Sequence, residues 1–188
     1  MGRYYGLSKE LALDLRLSPA MRNTSAQKQQ VTEIFDLLRD PVYRYLFRVL
    51  DNPGDAEDLT QEVFLRLYTH LHEGGAISNV RAWTFRVAHN LAIDLQRRKV
   101  RLEPFRTPRW DQAQDPTPCA EERILQNERY GKLHRAFSQL PVAEKHCLEM
   151  RAEGLSYQEI ASVMEMRLPT VAKLIGRIIR KLVKETTA

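Results

Sequence analysis

From Val31 to Leu50 the apolar positions Ile34, Leu37, Leu38, Tyr45 and Leu46 fall on one face of a helix, with polar residues between them. Pro41 predicts a bend there, or a division into two pieces. Asp51-Asn52-Pro53-Gly54 reads as a turn. Leu59, Val63, Leu67 and Leu71 then recur every four residues, which predicts a second amphipathic helix that breaks at His72–Ala76 with its two glycines. A third helix is expected from Asn79 to Arg101, with Trp83, Val87, Leu91 and finally Leu95 turned inward. Between Glu103 and Pro118 stand Pro104, Pro108, Pro116 and Pro118, too many prolines in too short a run for a helix. Helical periodicity resumes near Ala120 and continues to the end, whereas residues 1–30 show at most a weak amphipathic pattern. No run of alternating β-branched residues lies between turn signals. The fold class expected is therefore all-α, with two small helical domains joined by a proline-rich linker. The boundaries are an N-terminal extension over 1–30, a first domain over 31–103, the linker over 104–125 and a second domain over 126–188.

Charge changes this picture only through its placement. The 188 residues carry 29 Lys and Arg against 24 Asp and Glu, a net of +5, an excess too mild to identify a partner. The second domain holds a net of +4 and the first a net of −1. The second domain is thus the better candidate for a phosphate-facing surface. Cys119 and Cys147 fit no zinc or CxxC spacing, which suits a reduced, cytoplasmic setting. His146 beside Cys147 is a poor metal pair, because adjacent side chains on a helix diverge. No apolar run approaches membrane-spanning length, and the first residues lack the apolar stretch of a signal peptide, so neither membrane insertion nor secretion is expected.

The most informative stretch runs from Leu155 to Lys184. Ser156 followed by Glu159 fits a capping box that starts a short helix, with Ile160, Ala161 and Met164 on its inner face. Glu165 to Leu168 make the turn, and Pro169 falls in the first turn of the next helix, where its missing N–H costs nothing. In that helix Val171, Leu174 or Ile175, Ile178 and Leu182 face inward. Lys173, Arg177, Arg180, Lys181 and Lys184 lie largely opposite, with no acid before Glu185. A basic second helix after a tight turn suits insertion into the DNA major groove. Thr170, Lys173 and Arg177 would approach base edges, while Arg180 and Lys181 sit nearer the phosphates. The same pattern also describes an amphipathic helix with an ordinary solvated basic face.

Three signatures in order carry a resemblance: DAEDLTQEVFLRLY at Asp55–Tyr68, VRAWTFRVAHNLAIDLQRR at Val80–Arg98, and the series from Leu140 through Ala161 that ends in EGLSYQEIA. On them, residues 31–103 resemble sigma domain two and residues 126–184 resemble sigma domain four of the extracytoplasmic-function (ECF) sigma factors. The resemblance implies that Asp55, Asp58, Gln61 and Glu62 dock on the clamp helices of the polymerase largest subunit. Acids near a helix start also satisfy the helix dipole, which leaves Gln61 and Glu62 unexplained. It further implies that Asn79, Arg81, His89, Asn90, Arg97, Arg98, Lys99 and Arg101 face the non-template strand at the minus-ten element, with the Gly74–Asn79 loop as base pocket. Two readings of Trp83 stand, a stacking platform for a base or a core side chain on the apolar stripe. The basic cluster at 97–101 equally complements the dipole at a helix C-terminus. Thr170, Lys173, Arg177, Arg180 and Lys181 become the minus-thirty-five set. The chain departs from the family at Glu165, where glycine is usual in the turn, at Pro169, and at Ala172 and Leu174, where basic residues are frequent.

The function implied is that of an alternative sigma factor that binds core RNA polymerase and directs promoter recognition, DNA melting and initiation. Its expected partners are core polymerase, promoter DNA and an anti-sigma factor, with no cofactor and no metal. The alternative is a stand-alone helix-turn-helix regulator, which leaves the first two signatures unexplained and lacks a dedicated dimer helix. An enzyme is not expected, because the chain has no Gly-rich phosphate loop, no nucleophile elbow and no metal-ligand spacing among its five histidines.

Overall fold

The computed structural model describes residues 24–102 and 131–187. The expected linker, Cys119 and nearly all of the N-terminal extension lie outside the described residues.

Helix α1 (Thr24–Leu50) buries Ile34, Leu38, Val42, Tyr45, Leu46 and Val49 along one stripe. Pro41 lies inside this single helix and does not divide it. The ring removes one backbone donor, and the side chains on either side of it, Leu38 and Val42, are anchored in the core. Leu37, expected inward, is 50% exposed. The 100° step per residue carries it past the edge of the stripe that Ile34 and Leu38 share.

Asn52 caps helix α2 (Pro53–His72): its Oδ1 accepts from the Asp55 N–H at 3.0 Å, and Pro53 opens the helix where no donor is lost. Val63, Leu67 and Leu71 are buried as expected, Leu59 is half-buried, and Ala56, Thr60 and Phe64 complete the face. Phe64 meets Phe35 of α1 edge-on, with ring centroids 4.9 Å apart. After Gly74, with φ +84, the chain enters helix α3 (Val80–Leu102) through Asn79, whose Oδ1 accepts from the Ala82 N–H at 2.8 Å.

The buried stripe of α3 differs from the expected one. Val80, Ala82, Thr84, Phe85, Ala88 and Ala92 are buried, whereas Trp83, Val87, Leu91 and Leu95 flank them half-buried. Apart from Phe85, the deepest positions of α3 are small, Ala88 and Ala92 being fully buried. Trp83 packs against the core and stacks on His70 at 5.4 Å, which favours the core reading of that residue.

In the second half residues 131–138 are helical, followed by α4 (Val142–Ala152), α5 (Tyr157–Val163) and α6 (Leu168–Thr187). The capping box closes in both directions: the Glu159 N–H donates to Ser156 Oγ at 3.2 Å, and the Ser156 N–H donates to Glu159 Oε2 at 2.7 Å. Ile160, Ala161 and Val163 of α5 share one buried cluster with Val171 and Ile175 of α6, Ile178 is buried too, and Met164, Leu174 and Leu182 are half-buried. This is the helix-turn-helix the pattern predicts. The two halves also pack on each other, α5 against α3 and α4 against α1, and their buried side chains join in one continuous cluster.

Candidate functional site

Three surfaces gather the residues singled out from the sequence. The first is the outer face of α2. Asp58 and Gln61 are exposed, and Glu62 is half-buried and paired with Arg66 at 2.7 Å. Exposed Leu65 lies beside them, one turn beyond Gln61. Asp55 is half-buried at the start of the helix, where its backbone N–H donates to the Asn52 cap and its carboxylate pairs with Lys99 of α3.

The second surface is the outer face of α6. Thr170, Lys173, Arg177, Arg180 and Lys181 are all exposed, opposite Val171, Ile175 and Ile178. Arg177 donates to Glu144 of α4 at 2.5 Å, and Arg180 Nε donates to the Gly176 carbonyl at 3.1 Å. The basic side chains are thus arrayed on one face of a helix whose other face is fully committed to the domain's core.

The third surface, along α3, is divided. Asn90, Arg97, Arg98, Lys99 and Arg101 are exposed, with Arg97 3.9 Å from Asp94. Asn79, Arg81 and His89 instead meet the second half of the chain. Asn79 Nδ2 donates to Glu159 Oε1 at 3.4 Å, and Arg81 Nη2 donates to the Glu153 carbonyl. His89 Nδ1 is hydrogen-bonded to the Tyr45 hydroxyl at 2.8 Å, and its ring meets that of His146 edge-on at 5.2 Å.

Residues that the pattern did not single out complete this contact. Arg44 reaches Glu153 Oε2 with Nη2 at 2.8 Å and with Nε at 3.1 Å. Arg48 Nη1 reaches Glu153 Oε1 at 2.7 Å and Glu149 Oε2 at 3.0 Å. Arg86 Nη2 donates to the Ser162 carbonyl at 2.5 Å and to Ser162 Oγ at 3.0 Å. A usable signal was present: Arg44 and Arg48 are one helical turn apart, as are Glu149 and Glu153, so each pair must share a face.

Burial governs the electrostatics of this contact. It lowers the pKa of His89, and, with the nearby His89 and Lys145 charges, brings His146 down from 6.5 to about 4. It raises that of Glu149 against the pull of Arg48, and lowers that of Arg81 although Glu159 and Glu153 oppose the change. The Cys147 thiol is pushed up to about 11, which leaves it an unreactive core group. Among the described residues no group of His, Cys, Asp and Glu is arranged to hold a metal, and no helix is long and apolar enough to cross a membrane.

The profile of Sigma-70 region 2 matches residues 34–102, and that of Sigma-70 region 4 matches residues 130–182. The ECF RNA polymerase sigma factor SigE of Mycolicibacterium smegmatis is 35% identical over 143 residues, 73% of this chain and 54% of that protein. The chain belongs to the ECF sigma factors. The RNA polymerase sigma-H factor of Pseudomonas aeruginosa is 29% identical over 175 residues, 82% of this chain and 91% of its own length. Among solved structures, the sigma factor RpoE bound to the anti-sigma factor NepR, from Bartonella quintana, has the same fold. It superposes with a TM-score of 0.67 at 14% identity, over 85% of this chain and 98% of that one. The work of an ECF sigma factor is promoter recognition and transcription initiation, a regulatory role. Because both regions match in order, the stand-alone helix-turn-helix regulator is not favoured.

Proposed function

We propose that this ECF sigma factor binds core RNA polymerase through the face of α2 that carries Asp58, Gln61 and Glu62, with Asp55 at its edge. Residues 31–103 act as domain two and read the minus-ten element through α3 and the loop before it, using Asn79, Arg81, His89, Asn90, Arg97, Arg98, Lys99 and Arg101. Residues 126–188 act as domain four and place α6 in the major groove of the minus-thirty-five element, with Thr170, Lys173 and Arg177 near bases and Arg180 and Lys181 near phosphates. The observation that carries the reading is the coexistence of an exposed acidic face on α2 and an exposed basic face on α6 in one chain. A duplex-binding regulator has no use for the first. Tethering the two DNA readers lets each contact be weak alone. The protein works in the cytoplasm beside the polymerase, has no catalytic step of its own, and is held in check by an anti-sigma factor.

The test is a pull-down with core polymerase. Asp58→Ala combined with Glu62→Ala lowers core affinity about tenfold, the loss expected for two exposed polar anchors of an interface. Circular dichroism and the melting curve stay as in the wild type. Unchanged core affinity in the folded variant would remove the docking assignment.

A further inference from the structure

Arg177 differs from the other cations on the outer face of α6. Its Nη2 donates to Glu144 Oε1 at 2.5 Å, an ion pair that ties α6 to the first turn of α4. Lys173, Arg180 and Lys181 carry no salt bridge among the described residues, and Arg180 Nε is turned back on the Gly176 carbonyl. We propose that Glu144 is a positioning residue that makes Arg177 a reader of base edges rather than a phosphate contact, and so sets the sequence discrimination of α6. The assignment rests on the reading of α6 as the minus-thirty-five helix.

An acid at position 144 has a local cause, since the start of α4 favours negative charge. The helix dipole does not account for the arm that crosses to α6. The Glu144 side chain is only 14% exposed, whereas the Arg177 side chain that it holds is 64% exposed. The carboxylate is thus sheltered where α4 and α6 meet, and the guanidinium reaches outward from it. One of the five guanidinium donors is occupied there, and the others stay available to a ligand.

Two physical effects follow. A long side chain loses rotamer freedom when it binds, and a partner that holds it beforehand reduces that loss. The second effect is electrostatic. Phosphate contacts supply most non-specific affinity, and they respond to charge alone. A carboxylate beside Arg177 offsets its pull on the phosphate backbone. Two-point contact with the O6 and N7 atoms of guanine still requires the planar fork, which a carboxylate on one donor leaves in place. The ratio of specific to non-specific binding therefore rises.

The sequence of α6 concentrates this task on one residue. Between Leu168 and Arg177 only Lys173 and Arg177 are cationic, because Ala172 and Leu174 carry no charge. Lysine is a point charge without a fork. Arg177 is thus the single guanidinium at the reading end of the helix, and it is the one that a carboxylate holds.

The experiment uses the full chain. A duplex preferred by the wild type is selected from a random-sequence pool, and each of its base pairs is then replaced in turn. Anisotropy titrations at several salt concentrations compare the wild type with Glu144→Gln, which keeps the size of the side chain and removes its charge. The variant is expected to bind mismatched duplexes about threefold to fivefold more tightly, with little gain on the preferred one, so discrimination falls by that factor. Its salt dependence on mismatched duplexes rises by about one released counterion, as Arg177 turns to a phosphate. In an Arg177→Ala background the same change at Glu144 leaves both quantities where they were, since the carboxylate acts through the arginine. Equal discrimination and equal salt dependence in the wild type and Glu144→Gln overturn the assignment. So does an effect of the same size without Arg177, or a lower melting temperature with equal weakening on every duplex. A selection that enriches no duplex refutes α6 as the reading helix, and the role of Glu144 with it.

Discussion

Glu165 occupies a position where the backbone itself chooses the residue. Its φ of +54° lies in the left-handed region, between the end of α5 and the start of α6. A side chain with a Cβ is strained there by about 1–2 kcal/mol, and glycine is not. The family's preference for glycine in this turn thus has a direct physical cause, and this chain retains the turn at a cost. Glycine is also freer in the unfolded chain by about 0.5–1 kcal/mol, which takes back part of the gain. Glu165→Gly is therefore expected to stabilise domain four by about 0.5–1 kcal/mol, read as a higher urea midpoint at unchanged slope. Glu165→Ala, which keeps the Cβ, should not. Equal midpoints for the glycine and alanine variants would show that the turn is not strained.

At the level of the helix, α6 separates two kinds of DNA contact along its length. Positions near its start (Thr170 and Lys173) enter the groove first, while Arg180 and Lys181 lie two to three turns further on. Arg180→Ala and Lys181→Ala should each weaken duplex binding about equally for every sequence and reduce the salt dependence by about one released counterion. Lys173→Ala should instead change which minus-thirty-five sequence is preferred. Anisotropy titrations at several salt concentrations, on matched and mismatched duplexes, distinguish the two, and a uniform loss for all three variants would contradict the division. This helix was legible in the sequence because everything that defines it is local: the 3.6-residue stripe, the capping box before α5 and the proline in its first turn. The interdomain contact was not. Its ion pairs join residues 101 to 109 positions apart, and the alanines buried along α3 weigh little in any apolar pattern. Pro41 misled for the opposite reason, as the local rule for a break was outweighed by the buried stripe that runs past it.

Across the whole molecule the closed arrangement places two histidines where only their neutral forms fit. His146 of α4 is 4% exposed and faces His89 of α3, which is bonded to the Tyr45 hydroxyl of α1. Lys145 adds a further positive charge next to His146. In the folded chain His146 takes up a proton only near 4, against an ordinary value of 6.5. As pH falls, the unfolded or opened chain protonates first, so the stability of the closed form is complete above about 6.5 and declines down to about 4. The full interval corresponds to about 3 kcal/mol, and His89, lowered in the same direction, adds to it. Glu149 acts with the opposite sign. Burial raises its pKa above the usual 4.5, so its protonation as pH falls relieves a buried charge. The histidines and Glu149 therefore oppose each other as pH falls, and the histidine contribution is the one that begins at 6.5. Urea midpoints and the radius of gyration of the wild type should shift together below that value, towards lower stability and a larger radius. His146→Gln should flatten both dependences. A wild type whose midpoint holds constant from pH 7 to 5 would mean that the histidine pair is solvated rather than enclosed, and that the two domains do not rest on each other at this point.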